Sequence, residues 1–207
     1  MEQGARMKCA GAIGPCMAQD SGHHHHAGRS SADFIDARRV LRDIGLSEGQ
    51  VVLDAGSGSG HFSKAASNLI GPGGTVWALD SDQPSLDRLI RDIFTSGLRN
   101  IRPLLSDLTE PLPVKTGSVD VCLLVNVLHG LAWEKTAPAA LAEIGRVLKP
   151  GGRLAVVEFK KMQMDFGPPP EVRLEPAEVE RLVAPAGLKK ERSFEAGPYS
   201  YALLFRK

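Results

Sequence analysis

The chain has 207 residues, 43% hydrophobic and 24% charged, with 25 Lys plus Arg against 24 Asp plus Glu for a formal charge of +1. That length predicts one domain that buries most of its apolar surface without a disulfide or metal staple. The even charge balance speaks against nucleic acid or an anionic membrane surface as partner, and no apolar run reaches the roughly 20 residues of a membrane span.

Residues 1–30 are rich in Gly, Ala, Ser and His and show no periodicity, which predicts a flexible tail. The tail carries Cys9, Cys16 and the tract His23-His24-His25-His26, either a natural metal-binding run or a tag remnant. The Cys9–Cys16 spacing is wider than zinc ligand pairs favour, so no metal site is expected. The start is too short and too weakly apolar for a signal peptide, which makes the expected location cytoplasmic.

Residues 31–207 read as one domain. Ser31-Ala32-Asp33 is a candidate cap for a helix with apolar positions Phe34, Ile35, Val40, Leu41 and Ile44, ended by Gly45. Strands are predicted at 51–55, 75–79, 101–105, 119–125 and 153–159, and helices at 61–70, 84–96, 134–148 and 176–186. A hairpin of 188–195 and 199–206 around Gly197-Pro198 closes the chain. Runs such as Val121-Cys122-Leu123-Leu124-Val125 are apolar on both faces, as in strands covered by helices on each side, and Cys122 is expected as a small buried hydrophobe. The alternation predicts an α/β domain, its sheet mostly parallel with an antiparallel closing strand.

The loop after the first strand carries the most chemistry. Val51-Val52-Leu53-Asp54-Ala55-Gly56-Ser57-Gly58-Ser59-Gly60 runs straight into a helix, a turn where backbone can approach a ligand closely. A dinucleotide fingerprint needs G-x-G-x-x-G, but His61 or Ser63 falls where the third glycine belongs, so a nicotinamide oxidoreductase fails on spacing. A Gly-Lys-Ser/Thr phosphate loop is also missing from the sequence. Asp54 inside the motif repels a pyrophosphate and suits a cationic ligand. The second strand ends in Asp80, where a carboxylate can accept both hydroxyls of a ribose.

These features resemble the class I S-adenosylmethionine-dependent methyltransferases, in the small-molecule branch that includes the ubiquinone/menaquinone C-methyltransferases. The resemblance covers about residues 33–207 and rests on VLDAGSGSG (52–60), VWALD (76–80), LLSDLTEPLP (104–113), SVDVCLLVNVLHGL (118–131) and RVLKPGGRLAVVEF (146–159), in that order. It implies a Rossmann-like doubly wound sheet with helices on both faces, and S-adenosylmethionine as cofactor. It further implies that Asp54, Gly56 and Gly58 line the methionine end, that Gly60 opens the helix, and that Asp80 holds the ribose beside Ser81 at the adenine edge. Asp107 would accept from the adenine amino group, Leu108 would form an apolar wall, and Asn126 would reach the methionine moiety near the transferable methyl.

Methyl transfer from a sulfonium is an in-line displacement, so the protein chiefly aligns acceptor, carbon and sulfur and excludes water. At the carboxyl ends of the strands the candidates for acting on an acceptor are His129 as proton acceptor and Glu158 as a group orienting an acceptor hydroxyl. His61 is expected to pack or contact cofactor, and Lys160-Lys161 is a candidate for binding an anionic acceptor. Met162 through Pro170 reads as a lid or one wall of the acceptor pocket, its methionines offering a soft surface. The chain lacks the Asn-Pro-Pro-aromatic run of enzymes methylating amide or base nitrogens, and the cysteine set of arsenite methyltransferases. The expected acceptor is therefore a small molecule. The alternative is a catalytically silent sensor or partner subunit that binds S-adenosylmethionine or S-adenosylhomocysteine. Oligomeric state is not readable.

Overall fold

A computed structural model describes residues 33–207. The expected tail with Cys9, Cys16 and His23–His26, and the cap candidates Ser31 and Ala32, lie outside the described residues.

The elements follow in the order α1 (Ala37–Asp43), β1 (Val51–Ala55), α2 (His61–Ile70), β2 (Thr75–Asp80), α3 (Gln83–Ser96) and β3 (Ile101–Leu105). Then come β4 (Val119–Val125), α4 (Leu128–Trp133), α5 (Ala137–Val147), β5 (Leu148–Phe159), α6 (Pro176–Val183), β6 (Lys189–Gly197) and β7 (Ser200–Arg206). Seven strands form one sheet in the order β3-β2-β1-β4-β5-β7-β6. The first five are parallel, β7 runs antiparallel between β5 and β6, and the strand order reverses between β1 and β4. That reversal opens a crevice at the carboxyl ends of β1 and β4, because the connections leave in opposite directions there.

Period-two alternation sorts the strand residues into two apolar layers. Leu53, Leu124, Val156 and Leu203 join Leu141 and Ile144 of α5 and Val179 of α6. Val52, Leu123, Val157 and Leu204 join Val40 of α1, Phe62 and Ala66 of α2 and Leu89 of α3. Consecutive residues such as Leu123 and Leu124 are both fully buried, which is why these strands read as unbroken apolar runs. Cys122 is buried among them and is a free thiol.

Several boundaries differ from expectation. The first helix starts at Ala37, because Asp36 rather than Ser31–Asp33 supplies the cap, its Oδ1 accepting from Arg39 N at 3.1 Å. Phe34 and Ile35 thereby leave the helix and are available to other contacts. The helix expected over 134–148 starts three residues late, at Ala137, because Lys135 takes a left-handed φ of 62° and Pro138 stands in the first turn of α5. A short helix not expected from the sequence, α4, precedes it and carries His129. The fifth strand begins five residues early, at Leu148, and its pairing with β4 shifts register between Val119 and Val121 to pass the left-handed turn at Gly151. At the end of the sheet, Gly197 completes β6 and the turn falls on Pro198 and Tyr199.

Among the described residues, no helix is long and apolar enough to cross a membrane. Leu124, with no exposed surface, packs between the sheet and α5, so Leu124→Ala is expected to cost about 3 kcal/mol. A urea midpoint shifted to lower denaturant with an unchanged slope is the measurement that checks it.

Candidate active site

The glycine loop after β1 uses its three left-handed glycines for different purposes. A Cβ on Gly56 would meet Val127 Cγ2 at 2.4 Å and one on Gly60 would meet Leu89 Cδ1 at 2.3 Å, so these two let β4's following loop and α3 pack close. Gly58, at φ +53°, has nothing within 4 Å of such a Cβ and faces open space. Gly56 and Gly60 are thus packing glycines, and Gly58 between them leaves room for a ligand.

The loop is fastened to β2. Gly56 N and Ser57 N both donate to Leu79 O at 2.8 and 2.9 Å. Asp80 then takes Gly58 N on Oδ2 at 2.7 Å and Asp82 N on Oδ1 at 2.9 Å. One carboxylate therefore shapes both the glycine loop and the entry to α3, whose cap is Asp82. Ser81 lies exposed beside it. Ser106 N donates to Asp80 O at 2.9 Å, which draws the loop after β3 to the same edge. In that loop Asp107 accepts from Thr109 N at 2.8 Å and Thr109 Oγ1 at 2.7 Å, and these bonds hold its carboxyl below the usual range, while Leu108 beside it is buried.

Asp54, at the carboxyl end of β1, is 1% exposed. Burial pushes its carboxyl from 3.8 up to about 6, against the lowering effect of Ser63 Oγ, which donates to it at 2.5 Å, and Asp80's charge pushes it further up. Asn126 follows β4 with a left-handed φ of 56°, a conformation that costs a non-glycine residue about 1 kcal/mol or more. Its Oδ1 and the hydroxyl of Ser57 are buried without a hydrogen-bond partner, an arrangement proteins seldom tolerate without a ligand or ordered water.

These groups meet the demands of the cofactor implied by the resemblance. Two carboxyls suit a ligand with an amine and a ribose diol, two buried polar atoms lack partners, and the open side of Gly58 admits a ligand to the backbone. The residues fit S-adenosylmethionine.

His129 and Glu158 meet although 29 residues separate them. Glu158 Oε2 lies 2.7 Å from His129 Nδ1, and Glu158 Oε1 accepts from His129 N at 3.1 Å. They are 5% and 0% exposed. A carboxylate oxygen accepts, so in this pairing the imidazole donates through Nδ1. Glu158 was expected to orient an acceptor hydroxyl; both of its oxygens are instead held by His129. His61 joins Ile35 O through Nε2 at 3.0 Å and ties the segment before α1 to the glycine loop. Lys160 pairs with Glu195 and donates to Pro198 O at 3.2 Å, and Lys161 pairs with Glu178 at 3.0 Å, so the lysine pair expected to meet an anionic acceptor is engaged within the protein.

Sequence reasoning missed Ser57 and Ser63. A signal for Ser63 existed: it is a hydroxyl on the buried face of α2, between Phe62 and Ala66, where an apolar residue belongs unless a polar partner waits. Among the described residues no group of three His, Cys, Asp or Glu is arranged to hold a metal ion.

Residues 52–152 match the methyltransferase domain family. The chain is 37% identical over 124 residues to the ubiquinone/menaquinone biosynthesis C-methyltransferase UbiE of Cupriavidus taiwanensis, a match covering 59% of this chain and 49% of that protein. It spans about half the length of the curated relatives it matches. Among solved structures, a SAM-dependent methyltransferase from Aquifex aeolicus is 30% identical with a TM-score of 0.78, over 86% of this chain and 93% of that one. A type 11 methyltransferase from Sulfolobus solfataricus, 21% identical at a TM-score of 0.68 over 84% and 92% of the two chains, shares the fold.

The raised Asp54 carboxyl has a stability consequence. Between 3.8 and about 6 the folded chain keeps a proton that the unfolded chain has lost, so stability falls as pH rises through that window and the cost persists above it. Asp54→Asn is therefore expected to stabilise the ligand-free chain at pH 8 by on the order of 2 kcal/mol, a gain that fades toward pH 4. Urea unfolding of both proteins across that range checks it; a gain independent of pH would contradict the assignment.

Proposed function

The chain belongs to the class I S-adenosylmethionine-dependent methyltransferases, and from that premise we propose that it transfers a methyl group from S-adenosylmethionine to a small-molecule acceptor by in-line displacement. The observation that carries this reading is the pair of carboxyls, Asp54 and Asp80, at the ends of adjacent strands, joined across the glycine loop by the Gly58–Asp80 bond. Relatives named as C-methyltransferases of ubiquinone/menaquinone biosynthesis support a small organic acceptor.

In this reading Asp54, Gly56 and Gly58 take the methionine end of the cofactor, with the Ser57 hydroxyl as a further partner, and Gly60 opens α2. Asp80 accepts from the ribose hydroxyls beside Ser81, Asp107 accepts from the adenine amino group, and Leu108 covers the ring. Asn126 offers its unpartnered Oδ1 to the methionine moiety. Bound there, S-adenosylmethionine supplies a methyl carbon activated by its sulfonium. The chain's own work is then to hold the acceptor in line, exclude water and, where the acceptor must lose a proton, take it on His129. Glu158 serves by fixing the His129 ring.

Titration calorimetry with S-adenosylmethionine and S-adenosylhomocysteine tests the cofactor assignment. Saturable binding is expected, weakened at least about tenfold by Asp80→Ala, which removes both ribose acceptors and the brace of the glycine loop. Folded protein that binds neither compound overturns the reading. With an acceptor in hand, His129→Gln is expected to lower the rate about 100-fold or more while cofactor affinity stays within twofold. Cofactor binding without turnover of any acceptor would instead identify a binding module.

A further inference from the structure

Four aromatic rings gather where β5 and the β6–β7 turn end, and three of the four come from outside the regular elements. Phe34 lies 5.6 Å from Phe159, 5.2 Å from Phe166 and 6.5 Å from Tyr199, ring centre to ring centre. Phe166 lies 5.0 Å from Tyr199 and 6.4 Å from Phe159, and Phe159 meets the edge of His129 at 6.2 Å. Phe159 is buried, but Phe34, Phe166 and Tyr199 are each only partly so, unlike the residues of either apolar layer. The cluster therefore borders the proposed base on one side and solvent on the other.

Arg173 holds this arrangement. Its guanidinium is 2% exposed and forms no ion pair among the described residues, although Glu171 acts on it electrostatically. It donates instead to four backbone carbonyls of one loop: Pro168 O at 2.8 Å, Lys160 O at 3.4 Å, Met162 O at 2.5 Å and Phe166 O at 3.2 Å. It also lies over the Phe159 ring at 5.9 Å. Burying a cation this way is costly, and a Leu or Met would cover the core as well without that cost. What the planar fork adds is geometry: it locks an irregular loop whose Gly167, at φ +77°, would bring a Cβ within 3.2 Å of the Phe159 ring. The neighbouring cations Lys160 and Lys161 are paired with Glu195 and Glu178. The ring cluster thus has three partly exposed members, with the nearby lysine charges already compensated.

We propose that Arg173 is a positioning residue for methyl-acceptor recognition: by clamping the loop 160–168 it sets Phe159 and Phe166, with Phe34 and Tyr199, as the wall that receives a flat, uncharged face of the acceptor beside His129. This rests on the methyltransferase reading and adds to it which residues select the acceptor.

The experiment uses the full chain saturated with S-adenosylhomocysteine, titrated with 2-naphthol and with decahydro-2-naphthol, which carries the same hydroxyl on a saturated frame. The expected result is that the flat probe binds about fivefold more tightly, the advantage of ring-on-ring contact over area alone. Arg173→Lys keeps the charge but cannot span four carbonyls, and Phe166→Leu keeps apolar volume without the ring. Both are expected to bring the ratio of the two affinities to about one while S-adenosylhomocysteine affinity stays within twofold. A purely structural role would weaken both probes together and leave their ratio intact, which overturns the proposal. So does a ratio of one in the unaltered protein, or no binding of either probe. Should Arg173→Lys not fold, Phe166→Leu and Tyr199→Leu decide: a ratio that survives both overturns the wall and with it the clamp. Failure of S-adenosylhomocysteine itself to bind appears in the first titration and marks the failure of the underlying reading instead.

Discussion

The Asp80 carboxylate is the joint from which the carboxyl edge of the sheet is built. One oxygen holds Gly58 of the loop after β1 and the other holds Asp82 at the entry to α3. The residue's own carbonyl draws in Ser106 from the loop after β3. Three loops from three neighbouring strands thus converge on one residue, at the edge where the strand order opens a crevice. Backbone amides at a loop and a helix start are groups that would otherwise need water or a ligand, so the carboxylate satisfies them and orders the loops together. The proposed ribose acceptor is the same group that shapes the cradle, and so binding and preorganisation are coupled there.

Around that joint the fold tolerates groups that work against stability. Asp54 is buried with Ser63 as its donor, Asn126 sits in a strained conformation, and Ser57 and Asn126 each keep a polar atom without a partner. The two apolar layers a few residues away show no such concessions. Conflicts with local rules gathered at one end of a sheet are what a ligand-binding edge produces, since groups preset for a ligand go unsatisfied without it.

Two further devices stand at the end of β5. Glu158 and Phe159 are consecutive, and each fixes a different neighbour: Glu158 orients His129 from a fully buried position, and Phe159 is the ring on which Gly167 and Arg173 rest. Both depend on buried charge held by fixed hydrogen-bond geometry rather than on exposed ion pairs, which would add little. The surface pairs Lys160–Glu195 and Lys161–Glu178 lie nearby.

The alternation of strands and helices, the glycine loop with Asp54, and Asp80 closing β2 are legible in the sequence because each is local. Period and glycine spacing report which face a residue takes and where backbone must turn, whatever the rest of the chain does. The tertiary structure alone decided that Gly56 and Gly60 serve packing while Gly58 stays open, since the crowding side chains come from Val127 and Leu89. It decided that Ser63 answers Asp54, that Glu158 holds His129 rather than an acceptor, and that Arg173 gathers four carbonyls of a preceding loop. It also placed the first cap at Asp36 and set α4 ahead of α5. These contacts join residues that strand order and register bring together, and periodicity carries no information about which distant strand or loop becomes the neighbour.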